Sequence, residues 1–462
     1  TLLKSARLYQ KENTKYFNTI FFLKQLSNYV LYYILSYDII VLLNTRITIM
    51  LEELFMKSRD FINLNNQEYK RYFINTKDLE HRLSIIIGPR GVGKTTTIAQ
   101  YIVQNYKEHE ALYINLDDIQ NSAKFTMTQI AEEFVINGGK LLCFDEIHKY
   151  GSWSAELKNI YDRFGELKII ATGSSALQIN RGTHDLSRRA IVYNMVGMSF
   201  REFLELHHGY NFNSYSLEEI LANHVEIAMK IKVIIEKNEQ KIIPLFKNYL
   251  KFGYYPYYLS MPNELLFFQT LQQNINVSIE SDLLNIYPKL NGTSIKKIKM
   301  LLSVIIKNVP FEPKMSDIKK AADITDDRTL KEYLSKLDDA GLIKLLMQNS
   351  LSMKSFDKPE KIYLANTNLM YTKEPNIGNL RETFFVNQLD NYYKNSSGLN
   401  DDGIFASTHG DFYCQEKYTF EVGGKNKGFE QIKDIPNSYI VSDGIELGFG
   451  NKIAMWLFGF LY

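Results

Sequence analysis

The chain has 462 residues, room for about three domains of roughly 150 residues each. Its 54 Lys and Arg against 52 Asp and Glu leave a formal net charge of +2, which argues against a protein built to coat nucleic acid, so any basic surface is local. Two cysteines, Cys143 and Cys414, sit far apart in apolar runs without metal-ligand spacing, which argues against a disulfide framework and suits a reducing compartment such as the cytoplasm.

Residues 1–49 form an N-terminal extension that is either an amphipathic helix or not native sequence. Thr1 is not an initiator, and Met50 would serve as a start. The run "IFFLKQLSNYVLYYILSYDIIVLL" is broken by Lys24, Gln25, Asn28 and Asp38, whereas a membrane span needs about 18 continuous apolar residues, so no membrane association is expected. Residues 50–79 read as a helical lead-in. From 80 to 195 the short apolar strands "LSIIIG", "ALYINLD", "KLLCFDE" and "LKIIATGS" alternate with helical stretches. Strands apolar on consecutive positions belong to a parallel sheet covered on both faces. Residues 196–290 have helical spacing, broken at Gly253 and Pro256. Residues 291–350 carry three helices and a strand-like "LIKLL". Leu330, Tyr333, Leu334 and Leu337 share one face of the third helix, and the pattern resembles a winged helix. Residues 351–462 return to mixed α/β. The predicted fold class is α/β, a P-loop NTPase parallel sheet followed by a helical region, a winged helix and a small α/β domain.

The chemistry concentrates in "GPRGVGKTT", which satisfies G-x-x-x-x-G-K-[ST] between a strand and a helix. Gly88, Pro89, Arg90, Gly91, Val92, Gly93, Lys94, Thr95 and Thr96 are the candidate nucleotide-binding residues. A buried strand delivers the chain to a bare turn whose backbone N–H groups wrap phosphate, and the following helix adds its positive end. Lys94 reaches the β- and γ-phosphates, and the Thr95 hydroxyl is placed to ligate Mg²⁺. In "KLLCFDEIHKY", Asp145 binds the metal through water and Glu146 polarises the attacking water. "LKIIATGSSA" ends in Thr172, Gly173, Ser174 and Ser175, whose hydroxyls either sense the γ-phosphate or cap a helix. Arg181, Arg188 and Arg189 follow as candidate arginine fingers, worth about 10³ to 10⁵ in rate where one reaches the phosphate. His148 and Trp153 read as packing residues.

The series "GPRGVGKTT", "FDEIHKYGSWSAELKNIYD", "ATGSSA", "DLSRRA" and "GMSFREFLEL" resembles the prokaryotic AAA-type ATPases that carry a C-terminal domain of unknown function. The resemblance runs from Met50 to Tyr462. It implies an ATPase core, a helical and winged-helix middle and a restriction-endonuclease-like C-terminal domain, with Ser174 at the sensor. Family members show Gly-Arg before the "SFREF" block. Arg188 stands where that glycine would be, so Arg189 is the finger candidate. The nuclease pattern implied at the C-terminus orders Glu382, Asp411 and Glu421 as metal-gathering carboxylates. Gly423 holds the usual lysine position and Lys425 is its substitute, so a nuclease-like fold without efficient cleavage is expected.

These readings predict a Mg²⁺-dependent ATPase that binds ATP between the sheet and the helical region and whose nucleotide state controls its C-terminal domains. Two alternatives stand beside it: a nucleic-acid-binding switch that holds ATP with negligible turnover, and an ATP-gated nuclease. DNA or a protein is the expected partner through the winged helix and C-terminal domain, although the third winged-helix helix is acidic for a groove reader. An oligomer is compatible with the sequence.

Overall fold

The computed structural model describes residues 49–77, 79–117, 125–174, 186, 188–308, 315–348, 359–396 and 403–462. The apolar run within residues 20–43, Ser175 and Arg181 lie outside them. Among the described residues no helix is long and apolar enough to cross a membrane.

The first sheet contains β1 (Leu83–Gly88), β2 (Ala111–Asn115), β3 (Leu141–Asp145), β4 (Lys168–Ser174) and β5 (Ile191–Asn194), in the spatial order β2-β3-β4-β1-β5. All four pairings are parallel. Because side chains alternate across a strand, Leu83, Ile85 and Ile87 enter one core with Leu142 and Phe144, while Ile86 enters the other with Cys143 and Ile170. The chain leaves β1 for the far edge at β2, then returns in the opposite direction through β3 and β4. Right-handed crossovers therefore put the helix Lys94–Asn105 on one face and the helices Met127–Ile136 and Trp153–Arg163 on the other. Their buried residues follow suit: Ile98 and Ile102 join the core of Ile86, and Ile130, Phe134, Leu157 and Ile160 join that of Ile85. The reversal beside β1 opens a crevice at the carboxyl ends of the strands, the place where such sheets bind ligands.

The lead-in helix, residues 49–65, lies on the Ile85 face through Met50 and Leu51, and its Ser58 hydroxyl accepts a hydrogen bond from the Tyr113 amide at 3.0 Å. Beyond β5, Ser199 and Glu202 form a capping box that starts the helix Phe200–His208. Further helices run over Leu217–Glu236, Ile242–Phe252 and Glu264–Val277, the last continuing through a wider turn at 278–282. The helices Gly292–Asn308, Met315–Ala321 and Asp327–Asp339 precede β6 (Ile343–Leu346) and β7 (Lys361–Leu364), which pair antiparallel. Three helices and a first strand over "LIKLL" follow the order read from the sequence, with β7 in addition, and Leu330, Tyr333, Leu334 and Leu337 are all buried. The last sheet holds β8 (Ile404–Ala406), β9 (Phe412–Cys414), β10 (Tyr418–Gly423), β11 (Ser438–Ser442) and β12 (Lys452–Ala454), in the order β12-β11-β10-β9-β8. The helix Ile377–Ser396 packs on it, with Phe385 5.1 Å from Phe420 of β10 between ring centroids.

Candidate functional site

The glycine-rich loop takes the shape that its composition demands. A β-carbon on Gly88 would sit 2.1 Å from the Met195 carbonyl oxygen, and Gly93 has φ +99°, a left-handed conformation that costs glycine little. Lys94 opens the next helix with its side chain buried, and its Nζ donates to the carbonyls of Gly88 at 2.8 Å and Pro89 at 2.9 Å. Burial pushes its ammonium pKa down, against the opposing pull of Glu146 and Asp145. Thr95 Oγ1 donates to Asp145 Oδ2 at 3.1 Å, so the loop and the acid at the end of β3 meet directly. Asp145 also accepts from the Tyr113 hydroxyl at 2.6 Å and from the Thr172 hydroxyl.

Glu146 has φ 57°, a left-handed conformation that costs a side-chain-bearing residue about 1–3 kcal/mol. Its amide donates to Asp145 Oδ1 at 3.1 Å and Thr172 Oγ1 at 3.3 Å, which holds that geometry. Ser174 lies in register with Gly88, its buried hydroxyl without a partner among the described residues. Lys94, Thr95, Asp145, Glu146 and Ser174 therefore gather at the carboxyl ends of β1, β3 and β4. A cavity of about 830 Å³ opens beside them, lined by Arg90, Thr95, Tyr113, Asp145 and Glu146 and by Lys57, Asp60 and Phe61 of the lead-in helix. The helical region closes on the loop at Gly91, where a β-carbon would lie 2.6 Å from the Tyr257 ring, and reaches the site through Asp282.

Sequence reading named Arg90 among the loop residues but did not place Asp282, His148 or Arg71 at this site. Arg90 donates from Nη2 to Glu146 Oε2 at 2.8 Å and from Nε and Nη2 to both carboxylate oxygens of Asp282 at 2.8 and 2.7 Å. Asp282 is buried. Burial alone would push its carboxyl up, but hydrogen bonds from His148 and Arg90 hold it down at about 2. His148, expected as packing, is indeed buried, yet its Nε2 lies 3.2 Å from Asp282 and 3.5 Å from Glu146. Those three residues offer ligand atoms within 4.8 Å of one another, and Arg90 already serves as their counter-ion. Arg71 works from behind the loop. It is buried, and donates to the carbonyls of Val92 (2.7 Å), Val196 (2.9 Å) and Gly197 (2.9 Å) and to both oxygens of Glu202.

Arg189, the expected finger, is elsewhere. It lies two residues before β5, whose Ile191 pairs with Ser84 at the start of β1, and its Nε donates to Asp162 at 2.7 Å. That is the opposite end of the sheet from its own phosphate loop.

In the C-terminal domain Glu382, Asp411 and Glu421 stand in one region, but lysines separate them. Lys361 Nζ lies 3.5 Å from both Glu382 and Asp411, and Lys427 pairs with Glu421. Burial raises the pKa of Glu382 and Glu421, opposed by these lysines. Among the described residues the three carboxylates do not form a set within 4.8 Å. The expected Lys425 is exposed, and the turn at Gly423 brings Lys427 back to Glu421 in its stead.

A parallel sheet whose first strand ends in a glycine-rich loop, with a carboxylate from β3 hydrogen-bonded to that loop, defines a P-loop NTPase core. Residues 80–204 match the family model described as an AAA domain, and residues 243–376 match one described as a domain of unknown function (DUF8612), so the chain carries an AAA domain followed by that second domain. Uncharacterized protein MJ1637 of Methanocaldococcus jannaschii is 33% identical over 214 residues, 44% of this chain and 43% of that protein. Uncharacterized protein MJ1544 of the same organism is 26% identical over 304 residues, 63% of this chain and 62% of that protein. The chain thus spans less than two thirds of the length of either curated relative. Among solved structures, AMPPCP-bound DnaA from Aquifex aeolicus aligns at TM-score 0.24 and 14% identity, covering 58% of this chain and 85% of that one. The RuvB Holliday junction branch migration motor of Thermotoga maritima aligns at TM-score 0.23 and 13% identity, covering 63% and 89%. The strand order and the loop, rather than these loose likenesses, carry the fold assignment.

Proposed function

We propose that the chain is a Mg²⁺-dependent ATPase. The observation that supports this most is the 3.1 Å contact between Thr95 and Asp145, because a hydroxyl and a carboxylate held together are the oxygen ligands a small hard cation takes. Thr95 and Asp145 would hold Mg²⁺, which would supply positive charge to offset that of the phosphates. The loop amides from Arg90 to Thr95 bind the triphosphate, and Lys94 exchanges its two loop carbonyls for phosphate oxygens. Glu146, aimed by its left-handed backbone, orients the attacking water, and the unpartnered Ser174 hydroxyl donates to that water or to the terminal phosphate. The test is phosphate release by purified protein with Mg²⁺. Lys94→Ala is expected to abolish ATP binding. Glu146→Gln is expected to bind ATP normally and to lose turnover by about 10²-fold or more, in line with removal of a positioned base. Hydrolysis by Glu146→Gln at the parent's rate defeats the assignment.

In the same reading the protein is cytoplasmic, nucleotide state acts on the C-terminal domains, and the partner met by the three-helix unit and the last sheet is DNA or protein. Arg189 serves as a finger only on a neighbouring subunit's nucleotide, so that role requires an oligomer. The ATP-gated nuclease is the weaker alternative, because Lys361 and Lys427 already neutralise the acids a metal would need.

A further inference from the structure

Among the described residues, the guanidinium of Arg90 is bonded at the site to two carboxylates, Glu146 and Asp282. It belongs to the phosphate loop itself, lines the cavity with Thr95, Asp145 and Glu146, and bonds to Glu146, the residue that would orient the water. Asp282 grips it from the far side through Nε and Nη2. These contacts use the Nε hydrogen and both Nη2 hydrogens. An arginine carries five N–H donors in a rigid fork, so the two on Nη1 have no protein partner among the described residues.

We propose that Arg90 is a catalytic residue that stabilises charge on the transferring phosphoryl group within its own subunit, the task that Arg189 is too remote to perform there. The proposal rests on the ATPase reading and adds a residue and a direction to it. Asp282 and Glu146 fix the fork before the reaction, so donors aimed at developing charge need no reorganisation. Lysine does not substitute, since a point charge on a flexible stem lacks the fork that grips Asp282 and keeps two further N–H donors.

The experiment measures three quantities for the parent, Arg90→Ala and Arg90→Lys: ATP turnover, affinity for ADP, and affinity for ADP with aluminium fluoride, a mimic of the transferring phosphoryl group. Arg90→Ala is expected to lose about 10³-fold in turnover and a similar factor in ADP–aluminium fluoride binding, while ADP affinity changes by about threefold or less. A transition-state contact predicts that split, whereas a structural contact weakens both ligands together. Arg90→Lys is expected to restore less than about tenfold of the lost turnover. Equal weakening of ADP and ADP–aluminium fluoride, or turnover in Arg90→Ala at the parent's rate, overturns the proposal and leaves the ATPase reading standing. A parent that binds ADP but never hydrolyses ATP overturns both. The ADP affinity of each variant also reports that its loop is folded.

Discussion

Asp282 shows how one buried carboxylate ties distant parts of the chain together. It accepts from Arg90, 192 residues away, and lies 3.2 Å from His148, 134 residues away. Hydrogen bonds to a charged group contribute about 1.5–3 kcal/mol, so Asp282→Asn is expected to cost about 2 kcal/mol at pH 7. The pH dependence has a definite sign. The folded pKa of about 2 lies below the ordinary 3.8, so the stabilisation is complete above pH 4 and disappears as pH falls through the folded value. The stability gap between parent and Asp282→Asn should therefore narrow as pH falls below about 4, as read from urea midpoints. A gap that widens between about pH 4 and 2 contradicts the contact. Nothing near Asp282 in sequence announces this role, since "SIESDLLNIY" reads as an ordinary helix with solvated acids.

At the scale of elements, the first sheet was legible because burial on both faces writes consecutive apolar residues into the strands, and the loop was legible because its function excludes side chains. The helix start at Ser199 was also visible in principle, since S-x-x-E precedes an apolar run. Supports reaching across the chain were not. Arg71 lies in "YKRYF", 131 residues from Glu202 and 21 from Val92, and no local period connects them. Arg189 shows the converse: the family resemblance singles it out, and the crossover to β5 carries it to the end of the sheet away from its own loop. Arg71 joins the lead-in, the phosphate loop and the helix Phe200–His208 in one buried network, with Glu202 fully buried and its pKa held down by Arg71 against burial. Arg71→Ala leaves that carboxylate unpaired, and is expected to cost about 3–5 kcal/mol. Arg71→Met combined with Glu202→Gln should recover much of the loss. Urea unfolding of the parent, Arg71→Met, Glu202→Gln and the double variant checks this, and strict additivity of the two single changes would show that the pair is not coupled.

Across the whole molecule, the domains read from composition share one interior. The core on the Ile86 face of the first sheet runs without a break through the helical region to the last strands. Phe200 packs 5.9 Å from Phe460, and Phe246 packs 4.8 Å from Phe384, between ring centroids. Packed interiors transmit strain rather than absorb it, so nucleotide binding at the loop should stabilise the C-terminal residues as part of the same cooperative unit. The two tryptophans make this measurable: Trp153 opens a helix of the first sheet, whereas Trp456 is buried beside Phe460. At 100 times Kd a ligand adds about 2.7 kcal/mol to whatever unfolds together with its site. With Trp153→Phe leaving only Trp456 to fluoresce, ATP and Mg²⁺ are expected to raise the urea midpoint, and by the same amount as in Trp456→Phe, which reports from the first sheet. A shift confined to Trp153 would mean that the C-terminal region unfolds on its own, and the shared interior would then not couple it to the nucleotide.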